Sequence, residues 1–144
     1  MIYEKVLFIY TTLLQEGIAA AGFNTPNVVL FDVDPLKIYS LVVTCGFLTD
    51  TSKIYWNEID VTFNDKSVID PTFDGESTFN VLGSGYPNKD HYSSVSSFYL
   101  KGIRLTNPGL YTAKVSLYDS GADGNKGNLI DIKESHFIVA GDFE

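Results

Sequence analysis

From residue 27 to the C-terminal end, the chain alternates apolar and polar residues in one short run after another, and turn-forming residues close each run. The clearest run is 110–119, where Tyr111, Ala113, Val115 and Leu117 share one phase and Thr112, Lys114 and Ser116 the other. Successive side chains of a strand point to opposite faces, so this pattern buries one face and leaves the other to water. Ile59, Val61 and Phe63 repeat it within 54–64, against Glu58, Asp60, Thr62 and Asn64. The apolar run Leu41-Val42-Val43, then Cys45, Phe47 and Leu48, within 37–48, suits a strand covered on both faces. Further strands are expected at 27–34 (closed by Asp34-Pro35), near 67–69, and at 78–82, 94–105 and 129–140. In 94–105, Phe98 and Leu100 are out of phase with Ile103 and Leu105, which predicts a β-bulge at Gly102. A similar phase change falls at 133–135. Seven or eight such runs without a strand–helix–strand rhythm predict a mostly β, antiparallel sandwich or barrel.

The opening residues read differently. Apolar residues fall at 6, 7, 9, 10, 13, 14 and 18 and polar ones at 4, 5, 11, 12, 15 and 16, which gives a helix a broad apolar face and one polar stripe. Gly22 stands where a helix C′ residue would, with Asn24 and Pro26 beyond it. This predicts an amphipathic helical segment over 1–24 ahead of a β domain over 25–144. Its apolar face would pack on that domain or join copies of the chain into a homo-oligomer. A second reading makes 5–10 a strand, followed by a short helix from Thr12 capped by Gln15. The run Val6–Tyr10 resembles a secretion signal, but Glu4 offsets Lys5 and Thr11-Thr12 breaks the run. It is also far shorter than the roughly 20 apolar residues a bilayer requires. The expectation is a cytoplasmic or particle-associated protein with no membrane partner.

Leu105-Thr106-Asn107-Pro108-Gly109-Leu110-Tyr111-Thr112-Ala113 resembles the tyrosine corner of immunoglobulin-like domains, in which a tyrosine hydroxyl bonds back to the upstream backbone. The resemblance covers residues 27–140 and implies an immunoglobulin-like β-sandwich of about seven strands, with Pro108, Gly109 and Tyr111 in structural roles. It places Cys45 in strand B and Trp56 at the start of strand C, where such domains pack a tryptophan on a disulfide between strands B and F. Ala113 holds the second cysteine position, so that disulfide is absent. Trp56 is out of phase with Ile59 and Val61, so its burial requires a bulge near 57–58. The resemblance also implies that the B–C, D–E and F–G loops (residues 49–53, 83–93 and 120–128) gather at one end.

Those loops hold the candidate binding residues. Residues 83–93 mix Tyr86, His91 and Tyr92 with Ser, Gly and Asn88, the mixture of rigid rings and small polar groups that recognition loops use. Asp50, Asp123 and Asn125 would join them from the neighbouring loops.

Little else points to chemistry. Asp119–Asn128 offers oxygen ligands, but the spacing is wrong for a calcium loop and Lys126 intrudes. With one cysteine and two histidines, neither a two-cysteine, two-histidine nor a three-histidine zinc site can be built, so no metal and no cofactor is expected. As a nucleophile, Cys45 would need His91 or His136 as base, and its apolar neighbours predict an inert buried thiol. Among the carboxylate pairs Asp32/Asp34, Asp70/Asp74 and Glu58/Asp60, the last projects outward from one strand about 7 Å apart, a spacing glycosidases use. A net charge of −8 on 144 residues argues against nucleic acid as a partner.

The expected function is therefore a non-catalytic binding or assembly module that meets a protein or a glycan through its Tyr-rich loop end. Its abundant Tyr, Asn, Ser and Asp suit a phage or bacterial surface assembly. The alternatives are a small glycan-active hydrolase using Glu58 and Asp60, or an acidic inhibitor of a basic host protein.

Overall fold

The computed structural model describes residues 1–14, 24–73 and 77–143. Among them nine strands form: β1 (Lys5–Leu13), β2 (Val29–Leu30), β3 (Ile38–Asp50), β4 (Tyr55–Phe63), β5 (Lys66–Ser67), β6 (Ser77–Gly85), β7 (His91–Arg104), β8 (Gly109–Ser120) and β9 (Lys126–Val139). The first sheet has the order β1-β3-β7-β6 and the second β2-β9-β8-β4-β5. Every pairing is antiparallel except β2 with β9, which is parallel through Val29↔Ile138 and Leu30↔Val139. The protein is thus mostly β, with two sheets facing each other across one core, as in a β-sandwich. Val6, Ile9, Leu41, Val43, Cys45, Phe98 and Leu100 enter that core from the first sheet, and Val61, Tyr111, Ala113, Val115 and Phe137 from the second. The inward phases read from residues 54–64 and 110–119 are the observed ones.

The expected N-terminal helix does not form over residues 5–13. Residues 5–13 are a strand paired with β3 from Lys5↔Leu48 to Leu13↔Leu41. The second reading of residues 5–10 is therefore the observed one, whereas a helix starting at Thr12 is excluded by the strand that Thr12 and Leu13 continue. Residues 15–23 of the proposed helix, Gln15 and Gly22 among them, lie outside the described residues. The cause of the misreading is local. Leu7 is an extra residue between Val6↔Phe47 and Phe8↔Gly46, a bulge that shifts the phase by one. Val6, Ile9, Thr11 and Leu13 are buried as a result. Steps of three and four between the buried apolar residues imitate a helical period. No helix among the described residues is long and apolar enough to cross a membrane.

Tyr111 fastens the start of β8. Its hydroxyl donates to the Asn107 carbonyl at 2.6 Å and accepts from the Asn107 N–H at 3.2 Å. Its fully buried ring stacks on Phe137 (5.3 Å, 11°) and tilts against Phe63 (4.8 Å). Gly109 enters the strand at φ +133°, a conformation side chains disfavour, and a Cβ there would press on the Phe63 ring at 3.1 Å. Pro108 closes the same corner against Gly141.

Two phase changes are also resolved. Pairing moves from Leu41↔Leu100 to Tyr39↔Ile103, so β7 carries one extra residue at 101–102, with Gly102 at φ +77°. The slip in β9 lies nearer its start than expected: Leu117↔Asp131 is followed by Tyr118↔Leu129, whereas 133–135 pair without interruption. Trp56 is not a core residue. β4 pairs with β8 without a bulge, so Trp56 stays on the outer phase, 41 % exposed, and its indole N–H donates to the Gly124 carbonyl at 3.2 Å.

Asp70 fixes the segment that follows β5. Its Oδ1 accepts from the Thr72 N–H and hydroxyl, and its Oδ2 from Arg104 Nε at 2.8 Å. The Thr72 bonds first, then Arg104, hold its carboxyl down at about 2.

Two outcomes follow. Tyr111→Phe keeps the ring but orphans both Asn107 groups, so it should lower stability by about 1–2 kcal/mol in urea unfolding with an unchanged slope. Because folding lowers the Asp70 pKa, its contribution is complete above the ordinary value of 3.8 and disappears as pH falls through about 2. The stability gap between the native chain and Asp70→Asn should therefore be widest near neutral pH and close by about pH 2, as read by denaturant titration at each pH.

Candidate functional site

The three loops meet at one pole, as expected. The Thr51 N–H donates to the Asp90 carbonyl at 3.0 Å and its hydroxyl to the Lys89 carbonyl at 3.0 Å, joining the β3–β4 and β6–β7 loops. Trp56 ties the β8–β9 loop to the start of β4. Below this pole the sheets do not close completely. A groove of about 500 Å³ runs between them, lined by the apolar side chains of Phe47, Phe79, Val81 and Leu117 and by Tyr55, Tyr86 and Tyr92. Thr49, Asn57, Ser94 and Ser96 add polar atoms, and Asp50 and Lys53 bring charge. Its volume lies within the range of small-molecule and peptide side-chain pockets.

The groove opens because its inward positions are poorly filled. Ser94 and Ser96 occupy the phase of Phe98 and Leu100 on β7, and Asn57 the phase of Ile59 and Val61 on β4. Small or polar residues there leave volume that the apolar residues of the opposite end would occupy. Phe79 and Val81 of β6 face this space and remain 57 % and 50 % exposed. Tyr86, 71 % exposed, leans its ring on Tyr92 at 5.2 Å.

A hydrogen-bond chain organises the mouth. The Tyr55 hydroxyl donates to Glu4 Oε2 at 2.7 Å and accepts the Asp50 N–H at 2.9 Å. Burial, then the Glu4 bond, raises the Tyr55 pKa. Lys53 reaches Glu4 at 3.5 Å, which offsets both charges. Asp50 Oδ1 accepts from the Ser52 N–H and hydroxyl, and these bonds hold its carboxyl below the usual range.

Of the seven candidate binding residues, Tyr86, Tyr92 and Asp50 line the groove. The other four do not. His91 is buried: its Nε2 accepts the Tyr3 N–H at 2.9 Å, which leaves Nδ1 to donate to Asn88 Oδ1 at 2.9 Å. Asn88 Oδ1 also accepts the N–H groups of Asp90 and His91, so it shapes the turn. Asp123 accepts both the backbone and side-chain amides of Asn125, closing the β8–β9 loop on itself and lowering the Asp123 pKa. Phe47, Phe79, Val81 and Leu117 went unrecognised as groove residues. The serines at inward positions of 94–96 were the available signal.

The candidates for chemistry are occupied elsewhere. Glu58 is bound by Lys126 and Asp60 accepts the Ser67 hydroxyl at 2.7 Å; neither acid lines the groove. No group of three or more His, Cys, Asp or Glu side chains placed to hold a metal ion occurs among the described residues. Cys45 is fully buried, and burial pushes its thiol up to about 12. The folded protein should therefore resist a thiol-reactive dye at pH 8 and react fully once unfolded; rapid labelling of the native chain would contradict this burial.

No protein-family model matches this chain, and no curated protein matches its sequence.

Proposed function

We propose that this chain is an immunoglobulin-like, non-catalytic binding module that takes its partner into the inter-sheet groove beneath Tyr86 and Tyr92. The strand order supports the fold: β1-β3-β7-β6 and β9-β8-β4 correspond to the ABED and GFC sheets of such domains, with β2 added beside β9. The reciprocal bond between Tyr111 and Asn107 has the geometry of their tyrosine corner.

The observation that carries the binding role is the pairing of an open, partly apolar groove with the exposed Tyr86 ring, packed on the part-buried Tyr92, at its mouth. Exposed rings over a concave apolar surface offer large contact area at small conformational cost. Folding alone does not require Tyr86 to stand in water, nor Phe79 and Val81 to stay half uncovered. A partner that buries them would gain roughly 25 cal/mol per Å² of apolar surface removed from water.

Full chain screened against a displayed random-peptide library and an oligosaccharide array should yield binders. Tyr86→Ala and Tyr92→Ala should each weaken those binders by about 2 kcal/mol, roughly thirtyfold in Kd, with little change in melting temperature. Unchanged binding by both variants would remove the groove mouth as the site.

A further inference from the structure

The edges of the two sheets are not equally protected. An exposed strand edge is a template for another chain, and proteins blunt it with brevity, charge, proline or covering segments. β2 and β5 are two residues long. The edge of β1 is covered: the Val6 N–H is taken by Asp131, the Leu13 N–H by Asn27, and the Thr11 carbonyl by the Asn27 N–H. On β4, Asp60 takes the Val61 N–H and the Val68 N–H caps the Val61 carbonyl. β6 differs. It is nine residues long, Ser77–Gly85, without a charge or a proline, and its strand partner among the described residues is β7 alone. A bulge at Leu82, between Val81↔Ser96 and Gly83↔Val95, is its one irregularity. The groove lies on the inner side of this same strand, with Phe79 and Val81 half exposed in it.

We infer that β6 is a strand-addition edge, and that its ligand is an extended peptide segment of another protein, alternately apolar and polar and carrying a basic residue. This rests on the groove reading above and names the class of ligand. A backbone edge with no second strand partner among the described residues selects a polypeptide, because another strand reproduces the ladder spacing along β6. Alternation follows because every second side chain of the added strand turns inward, onto Phe79 and Val81. The basic residue follows from charge. Lys53 is already engaged by Glu4, so Asp50 is the groove acid available to a cation, and the whole chain carries −8. That charge repels a second copy. A two-fold pairing of β6 with itself would also set groove against groove, leaving both unfilled.

The test pans the full chain against displayed random peptides of about 12 residues, long enough to lie along β6. Selected peptides are then measured by fluorescence anisotropy on the native chain, Val81→Lys and Asp50→Asn. The expected result is enrichment of alternating sequences with Lys or Arg, and slowed amide exchange in β6 on binding. N-methylation at alternate peptide residues and Val81→Lys should each cost about tenfold or more in affinity, and Asp50→Asn should weaken the salt-sensitive part. Val81 is half exposed, so Val81→Lys should melt close to the native chain; Val81→Thr serves as a second probe if it does not. No enrichment, enrichment without alternation, or equal binding to N-methylated peptides overturns the inference. Binding of array oligosaccharides that depends on Tyr86, without peptide enrichment, overturns it while leaving the groove reading intact. A dimer by light scattering that Val81→Lys dissolves assigns the edge to a second copy and overturns it too.

Discussion

Tyr111 joins a buried ring to a satisfied hydroxyl at the corner where β8 begins. The ring fills space between Phe63 and Phe137, one from each neighbouring strand, while the hydroxyl serves both backbone groups of Asn107. A buried phenol without those bonds would cost desolvation energy, so ring and corner are stable only together. β8 is the middle strand of its sheet, flanked by β4 and β9. Setting its start sets the register of both neighbours, and through β4 the position of Tyr55 and Asn57 at the far pole.

From that corner the filling of the interior changes along the strands. Close to Tyr111 the inward positions are large and apolar: Phe63, Phe137, Ile103 and Leu105. Toward the loops they become Asn57, Ser94, Ser96 and Thr49. One end is therefore closed by burial and the other held by hydrogen bonds among Asp50, Tyr55, Glu4 and Ser52. The clamp and the groove mouth lie at opposite ends of the strands, so an exposed groove side chain such as Tyr86 can change with little effect on the clamp, whereas Phe47 and Leu117 serve groove and core together.

The strands with uninterrupted alternation were legible in the sequence because one rule, inward then outward, governs them. Gly102 was legible for the same reason: a phase reversal across a glycine has few other causes. β1 was not, since the bulge at Leu7 gave a strand the spacing of a helix. Trp56 conflicted with its own phase from the outset, and the phase prevailed over the family resemblance. At the site, Tyr86, Tyr92 and Asp50 could be read from loop composition. His91 and Asn88 share that composition, but their ring nitrogens and amide oxygen are consumed by Tyr3, Asp90 and each other. Side-chain hydrogen bonds across 88 positions leave no periodic trace.

The bond from the Tyr3 N–H to His91 has a practical bearing on how the molecule is handled. It brings residues 1–3 beside the β6–β7 loop, where a bulky fusion would crowd the mouth of the cleft. Gly141, by contrast, rests on Pro108 at the remote corner. Anchoring the protein to a bead or sensor near Gly141 would leave the cleft facing the solution.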